Sequence, residues 1–364
     1  MPNFTGQLNT NIVIGSLYNQ IISIKTFSEN IGEMFSKLVD KARVDGSMYG
    51  DTKVYNSIDI PGTKPWGADA EATNLLKTHR PKKVKCQSIS IDQFRQVAIT
   101  IDNYLTKQAF LNEGSFAEFN GAVLSTMRDA KKIYDTTIWN TYVGTAKSSV
   151  QETHNIAVQA SDVPSLAQGA GSALAKLLFR IKDNSRDYND YGFMRAVDPE
   201  NVEVIWNADY VVDFKKYDIP AIFHEKEVID KFGYDNALPA RFFGTVVTTA
   251  GTVSSSNKVR TLVERSLNAS GKDVEQDADD ALEYFPGDLL PIGATYKANE
   301  AYKEDANIIA IVTTPDSVPF MSGFEVGTNF FNPVSLTENN YITWGHNTLE
   351  RLYDKPWVKI TKAS

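Results

Sequence analysis

The side chains able to do chemistry are few and scattered. Four histidines, His79, His154, His224 and His346, lie far apart, and none has a second histidine or a cysteine at ligand spacing, so a transition-metal site has no local support. The one cysteine, Cys86, excludes an intrachain disulfide framework and a cysteine-based zinc site, which fits folding in a reducing cytoplasm. In its alternating surroundings it reads as a small, half-buried strand residue. The acidic pairs Asp279-Asp280 and Asp187/Asp190 have the residue type for general acid–base work, but they fall in polar loops where an unshifted carboxylate is expected. The acidic stretch 271–280, GKDVEQDADD, lacks the alternating acids and central glycine of a calcium loop and reads as a solvated excursion. Arg186-Asp187-Tyr188 with Trp206-Asn207 is the nearest approach to a constellation, and reads as a turn packed under the next helix. No GxxxxGK[ST], no GxGxxG after a strand and no GxSxG occurs. No catalytic, cofactor-binding or metal-ligating residue is therefore assigned, and no cofactor is implied.

Composition narrows the classes further. With 42% hydrophobic and 23% charged residues in 364, the chain has enough apolar content for one large core or two ordinary ones. A formal charge of -8, from 37 basic and 45 acidic residues, argues against a sequence-independent nucleic-acid binder. The basic run His79, Arg80, Lys82, Lys83 and Lys85 reads as a solvated face or a guarded strand edge. The first residues lack a charged lead-in and a compact apolar core, so no signal peptide is expected, and no window reaches the ~18 apolar residues of a membrane span.

The element around which the chain is organised is a helix expected over 115–143. Phe116, Phe119, Val123, Met127, Ala130, Tyr134, Ile138 and Tyr142 recur in steps of three and four, Ser115 and Glu118 form a capping box, and Gly144 stands just past the end. At 1.5 Å per residue it would run roughly 40 Å, long enough for other layers to lie across it. Its charged residues Arg128, Asp129, Lys131 and Lys132 are expected to face outward or toward a neighbouring copy. Before it come a polar arm, a helix over 27–42, a strand over 55–60, a Pro/Gly-rich loop, and two β runs, 83–91 and 94–101, separated by Asp92-Gln93. Val84, Cys86 and Ser88 form one face of the first run and Val97, Ile99 and Ile101 one face of the second. A ribbon apolar on one side only is marginal in water, so it must lie on another surface. After the long helix the pattern predicts a polar crossing over 145–164, a helix over 166–183, a strand over 202–206, a helix over 209–217 and a strand over 242–248. Strands follow at 289–292 and 307–313, then irregular chain through SGFEVGTNFFNP, a strand over 341–353 and a terminal strand over 357–362.

This order of parts resembles the major capsid proteins of tailed bacteriophages, the Hong Kong 97-type α+β fold. RQVAITIDNYLTKQAFLNEGSFAEF resembles the exit of that family's E-loop, VEVIWNADYVVDF is similar to a segment of its A-domain, and ITWGHNTLERLYDKPWVKI to its closing strands. The SRDY turn and the short chain look most like small short-tailed phages. The resemblance implies an N-terminal arm and helix over 1–49, an E-loop over 50–107, the spine helix and start of the P-domain over 108–160, an A-domain over 161–312 and closing P-domain strands over 313–364. It also implies a non-enzymatic subunit in the virion of an icosahedral head enclosing double-stranded DNA. Its partners would be copies of itself as hexamers and pentamers, a separate scaffold protein, a portal and decoration proteins, with weak non-specific contact with packaged DNA and no membrane. No lysine and asparagine pair matches the covalent cross-link of some members. Two other readings stand beside it: an encapsulin-like cellular shell, and a soluble α+β enzyme whose site assembles only in three dimensions. The arm and the ribbon over 50–107 separate a shell from an enzyme, since a shell subunit leaves them unsatisfied within its own fold and an enzyme buries them around a pocket.

Overall fold

The computed structural model describes residues 36–46, 50–63, 78, 80–81, 83–102, 113–145, 154–217, 236–275 and 280–363. The chain divides into two units: Met1–Asp51 with Ile91–Trp139 and Phe320–Thr348, and Thr52–Ser90 with Asn140–Pro319 and Leu349–Ser364. The strand Val84–Asp102 and the helix Glu113–Thr145 each supply residues to both.

In the first unit, Phe320–Asn332 and Thr337–Asn347 form an antiparallel hairpin, and the second of these strands pairs antiparallel with Ile91 to Asp102. Arg43–Asp45 adds a parallel edge against Phe320 to Ser322. Ile101 is buried and Val97 and Ile99 half-buried while Ala98 and Thr100 are exposed, the one-sided alternation the sequence predicts. Of the helix expected over 27–42, Ser36–Ala42 is described, burying Leu38, Val39 and Ala42; residues 27–35 lie outside the described residues.

The long helix runs Glu113–Thr145, 33 residues or about 50 Å at 1.5 Å each. Met127 and Tyr134 of its stripe are buried and Ala130 and Ile138 half-buried, while the side chains of Phe116, Phe119 and Val123 lie outside those described. The helix is already formed at Glu113, two residues before Ser115, and the side chains of the expected capping box, Ser115 and Glu118, lie outside those described. Gly144 also lies inside the helix: a Cβ there would overlap the Phe242 carbonyl, so the glycine permits a close approach and does not end the helix.

The second unit is built on a five-stranded sheet in the order Asn155–Val158, Trp357–Lys362, Ile308–Thr313, Glu203–Asn207, Ala237–Leu238. All six residues of Ile308–Thr313 and all five of Glu203–Asn207 are buried, as central strands covered on both faces must be. Leu166, Leu174, Leu177 and Leu178 of the helix Val163–Lys182 and Val211 and Phe214 of the helix Ala208–Tyr217 close one core against Val204, Trp206, Ala310, Val312 and Val358. A second, smaller core of Val253, Val259, Leu267, Leu290, Ala294 and Ala301 fills three small sheets.

Several boundaries differ from expectation, each for a local reason. The two β runs around Asp92 are one strand, Val84–Asp102; Asp92 is an extra residue at a bulge between the pairs His346↔Gln93 and Asn347↔Ile91. The 341–353 strand stops at Asn347 because the next N–H, that of Thr348, donates to the Asp92 carboxylate (2.7 Å) and not to a neighbouring strand. SGFEVGTNFFNP is not irregular but lies in the strand Phe320–Asn332, whose residues 324–331 are exposed on both faces and so carry no alternation. The polar crossing contains the strand Asn155–Val158 and ends in a helix start at Val163, with Asp162 as cap accepting from Ser165 N and Pro164 in the first turn. Of 242–248 only Gly244–Val246 is strand, after a 3₁₀ turn at Ala240–Phe242. The stretch 289–292 is a turn with one bridge, Arg260 to Leu289, since Pro291 has no N–H for a ladder.

Candidate assembly surfaces

In the second unit Thr52–Ile58 pairs antiparallel with Val84 to Ser90, setting Val54 opposite Ser88, Asn56 opposite Cys86 and Ile58 opposite Val84. This face is uncovered: Val54, Ile58, Val84 and, one step beyond the strand, Ile60 are 55, 51, 53 and 54% exposed. Cys86 stands among them, exposed and not half-buried as expected. The opposite face is the covered one, with Ser57 and Ile89 buried. Gln87 decides the side. Its Nε2 donates to the Arg351 carbonyl (2.9 Å) and its Oε1 accepts from Tyr353 N (3.2 Å), so Gln87 ties that face down and Val84 and Cys86 must point away.

Around this anchor lies a buried ion pair. Arg351 Nη2 sits 3.0 Å from Asp190 Oδ2, with side chains 2% and 4% exposed, and the guanidinium lies 5.5 Å from the centre of the Trp357 ring. The Arg351 N–H donates to Tyr142 Oη (3.0 Å), and burial pushes the Tyr142 phenol up, so it stays protonated. The Asp187/Asp190 pair is thus split: Asp187 is exposed, whereas Asp190 is buried by its bond to an arginine far away in sequence.

In the first unit the long helix carries a second polar group. Asp135, 1% exposed, lies 3.4 Å from Lys131 Nζ and 3.6 Å from Arg43 Nη2. Burial raises its carboxyl above the ordinary range, against the pull of these two cations. Lys131 also pairs with Glu325 (3.3 Å) and lies over the Trp344 ring, so it faces the sheet and not outward or toward a neighbour as expected; Arg128 and Lys132 are exposed. Beside it Arg95 Nε donates to Tyr134 Oη (3.1 Å), which lies 3.0 Å from His346 Nε2. His346 Nδ1 faces the Asn347 carbonyl at 2.8 Å and so carries the ring proton, leaving Nε2 to accept from Tyr134. Burial holds His346 below its usual value, consistent with a neutral ring fixed in a core.

These groups tie elements together across each unit. His154 packs against the Tyr188 ring, while His79, His224, Lys82 and Asp279 lie outside the described residues. Arg80, Lys83, Lys85 and Asp280 are exposed. Arg186 and Asn207 are not brought together: Arg186 bonds Asp59, and Asn207 bonds the Ile308 carbonyl and caps the following helix through Asp209 N. Among the described residues no group of three or more His, Cys, Asp or Glu could hold a metal ion, and no helix is long and apolar enough to cross a membrane. Sequence reading missed the clamps of Gln87 and Arg351, whose partners lie over 260 residues away in one case and 161 in the other. It also missed the hairpin end, where Phe324, Val326, Phe330, Phe331, Val334 and Leu336 are all exposed.

Ordered strands that leave apolar side chains in water belong to a subunit completed by other molecules. In fold the chain is similar to the capsid of Staphylococcus phage Andhra, with 12% identity and a TM-score of 0.61, covering 92% of this chain and 85% of that one. It is equally similar, by the same values, to a chain in the structure of head fiber and inner core protein gp22 of native bacteriophage P68. The class is thus the α+β, Hong Kong 97-type capsid fold. Residues 4–349 match the Phi29-like phage major capsid protein family, and the chain belongs to that family. It is a structural capsid subunit of the virion that self-assembles into a shell; neither the encapsulin-like nor the enzyme reading is favoured. No curated protein matches the chain.

Proposed function

We propose that this subunit builds an icosahedral head around double-stranded DNA, as hexamers and pentamers, with the ribbon of Thr52–Ile58 and Val84 to Ser90 laid across the long helix of a neighbouring copy. The observation that carries this reading is the uncovered apolar face of Val54, Ile58, Ile60 and Val84. The parts then take the roles of N-terminal arm (1–49), E-loop (50–107), spine (108–160), A-domain (161–312) and closing strands (313–364). Non-enzymatic assembly is aided by a separate scaffold and completed by a portal and decoration proteins. Deleting 63–77, which lies almost wholly outside the described residues, should abolish shells and leave a folded subunit, and so should Ile58→Asp with Val84→Asp on the apolar face itself; normal shells from the double variant contradict the docking. The net charge of -8 supports a wall that confines DNA without gripping it, so isolated subunits should bind duplex DNA more weakly than about 1 μM at physiological salt.

A further inference from the structure

Beyond the Gln87 anchor, the end of the ribbon at Ile58 and Val84 is pinned to its own unit by polar contacts. At the end of Thr52–Ile58 the Asp59 carboxylate gathers donors from three places: Arg186 Nη1 (2.7 Å), Met194 N (3.1 Å), and its own surroundings through Ile60 N (3.0 Å) and Lys83 Nζ (3.7 Å). Arg186 Nη1 also donates to the Gly192 carbonyl (2.8 Å), so one guanidinium nitrogen joins Asp59 to the turn beneath it. Alongside, Arg195 Nη2 donates to the Ile58 carbonyl (3.0 Å) while its Nε pairs with Asp354 (2.9 Å). The apolar side chains at the same place, Ile58 and Ile60, are about half exposed, so they add little to the joint. Apolar contacts tolerate sliding, but charge-assisted hydrogen bonds weaken steeply when their angle changes.

We propose that Asp59, with Arg186 and Arg195, is a positioning latch that pins the end of the ribbon against its own unit, and so sets the angle at which its apolar face is presented and thereby the curvature of the shell. The latch rests on the reading that the ribbon docks on a neighbouring copy. It acts through the ribbon, and none of its three side chains needs to touch the neighbour. A subunit with a loosened joint folds and still presents its apolar face, but over a wider spread of angles, so shells close with mixed radii or fail to close.

The test uses the full chain carrying Asp59→Asn, Arg186→Met or Arg186→Lys, beside the double variant Ile58→Asp with Val84→Asp. Thermal unfolding should stay near wild type in the three point variants. Amide exchange at Met194 and Ile60 should quicken about tenfold or more in Asp59→Asn, with Ile308–Thr313 unchanged, because only the local joint is opened. Negative-stain imaging should show a broadened diameter distribution or open sheets for Asp59→Asn and Arg186→Met, and a distribution nearer wild type for Arg186→Lys, which keeps a charge. Folded Asp59→Asn and Arg186→Met subunits that form shells of wild-type diameter, beside a double variant that forms none, overturn the latch alone. Normal shells from Ile58→Asp with Val84→Asp, which alters the apolar face itself, overturn the docking and the latch with it. If Asp59→Asn does not fold, Arg186→Met decides, since that side chain is 40% exposed and its loss leaves the Met194 and Ile60 bonds in place.

Discussion

Placing a carboxylate on the ribbon's open face tests whether that face is an interface or merely an exposed strand. Ile58 and Val84 are direct cross-strand neighbours, and with Val54 and Ile60 they form the apolar face. Fully burying such a side chain contributes about 1.5–3 kcal/mol. Each is roughly half exposed, so covering all four by a neighbour adds about 3–6 kcal/mol per ribbon, or about two to four orders of magnitude in the affinity of each contact. Ile58→Asp with Val84→Asp removes half of that gain and sets two like charges side by side where a neighbour would have to desolvate them. In the free subunit both carboxylates remain hydrated, and thermal unfolding should shift little. Light scattering and negative-stain imaging of the purified variant should find folded subunits and no shells. Wild-type shells would refute the reasoning outright, and an unfolded variant would show that the face belongs to the subunit's own core.

Three further outcomes follow from the same geometry. Gly144→Ala should destabilise by about 1–3 kcal/mol or more, because its Cβ meets the Phe242 backbone, whereas Gly121→Ala on the same helix meets nothing and should stabilise by up to about 1 kcal/mol; paired denaturant titrations separate them. Arg351→Met should cost about 3–5 kcal/mol by leaving the Asp190 carboxylate buried without its cation, while Asp187→Asn at the exposed neighbour stays within about 0.5 kcal/mol, both read by thermal unfolding. The Arg186 hydrogen bond, followed by that of Met194 N, holds the Asp59 carboxyl down from 3.8 to about 2. Its depressed value makes the contribution complete above the ordinary carboxylate range and lost as pH falls through about 2, so protection of the Met194 amide, its exchange rate relative to that of an unstructured amide at the same pH, should fall below about pH 3 and be constant from about 5 upward.

What the sequence made legible was what repeats locally. The stripe through Met127 and Tyr134, the alternation of Val97, Ile99 and Ile101, and the apolar runs that became Ile308–Thr313 and Trp357–Lys362 are properties of neighbouring residues. Which side of the ribbon would be covered was not legible from the ribbon itself: Gln87 decides it through backbone groups of Arg351 and Tyr353. The exposed hairpin strand Phe320–Asn332 was misread for a related reason, since a strand wet on both faces has no period to detect and owes its existence to the ladder with Thr337–Asn347. Lys131 falls off the helix's apolar stripe, yet it lies between Asp135 on its own helix and Glu325 and the Trp344 ring from two distant strands.

The central claim is that the ribbon's apolar face closes a shell by covering a neighbour. Cryo-electron microscopy of particles assembled from the purified chain tests it directly. The account predicts closed icosahedral shells in which Val54, Ile58, Ile60 and Val84 of each copy lie against the long helix of the next. Shells in which these four side chains stay in solvent or are covered by their own subunit, or a protein that stays a folded monomer under assembly conditions, would contradict it.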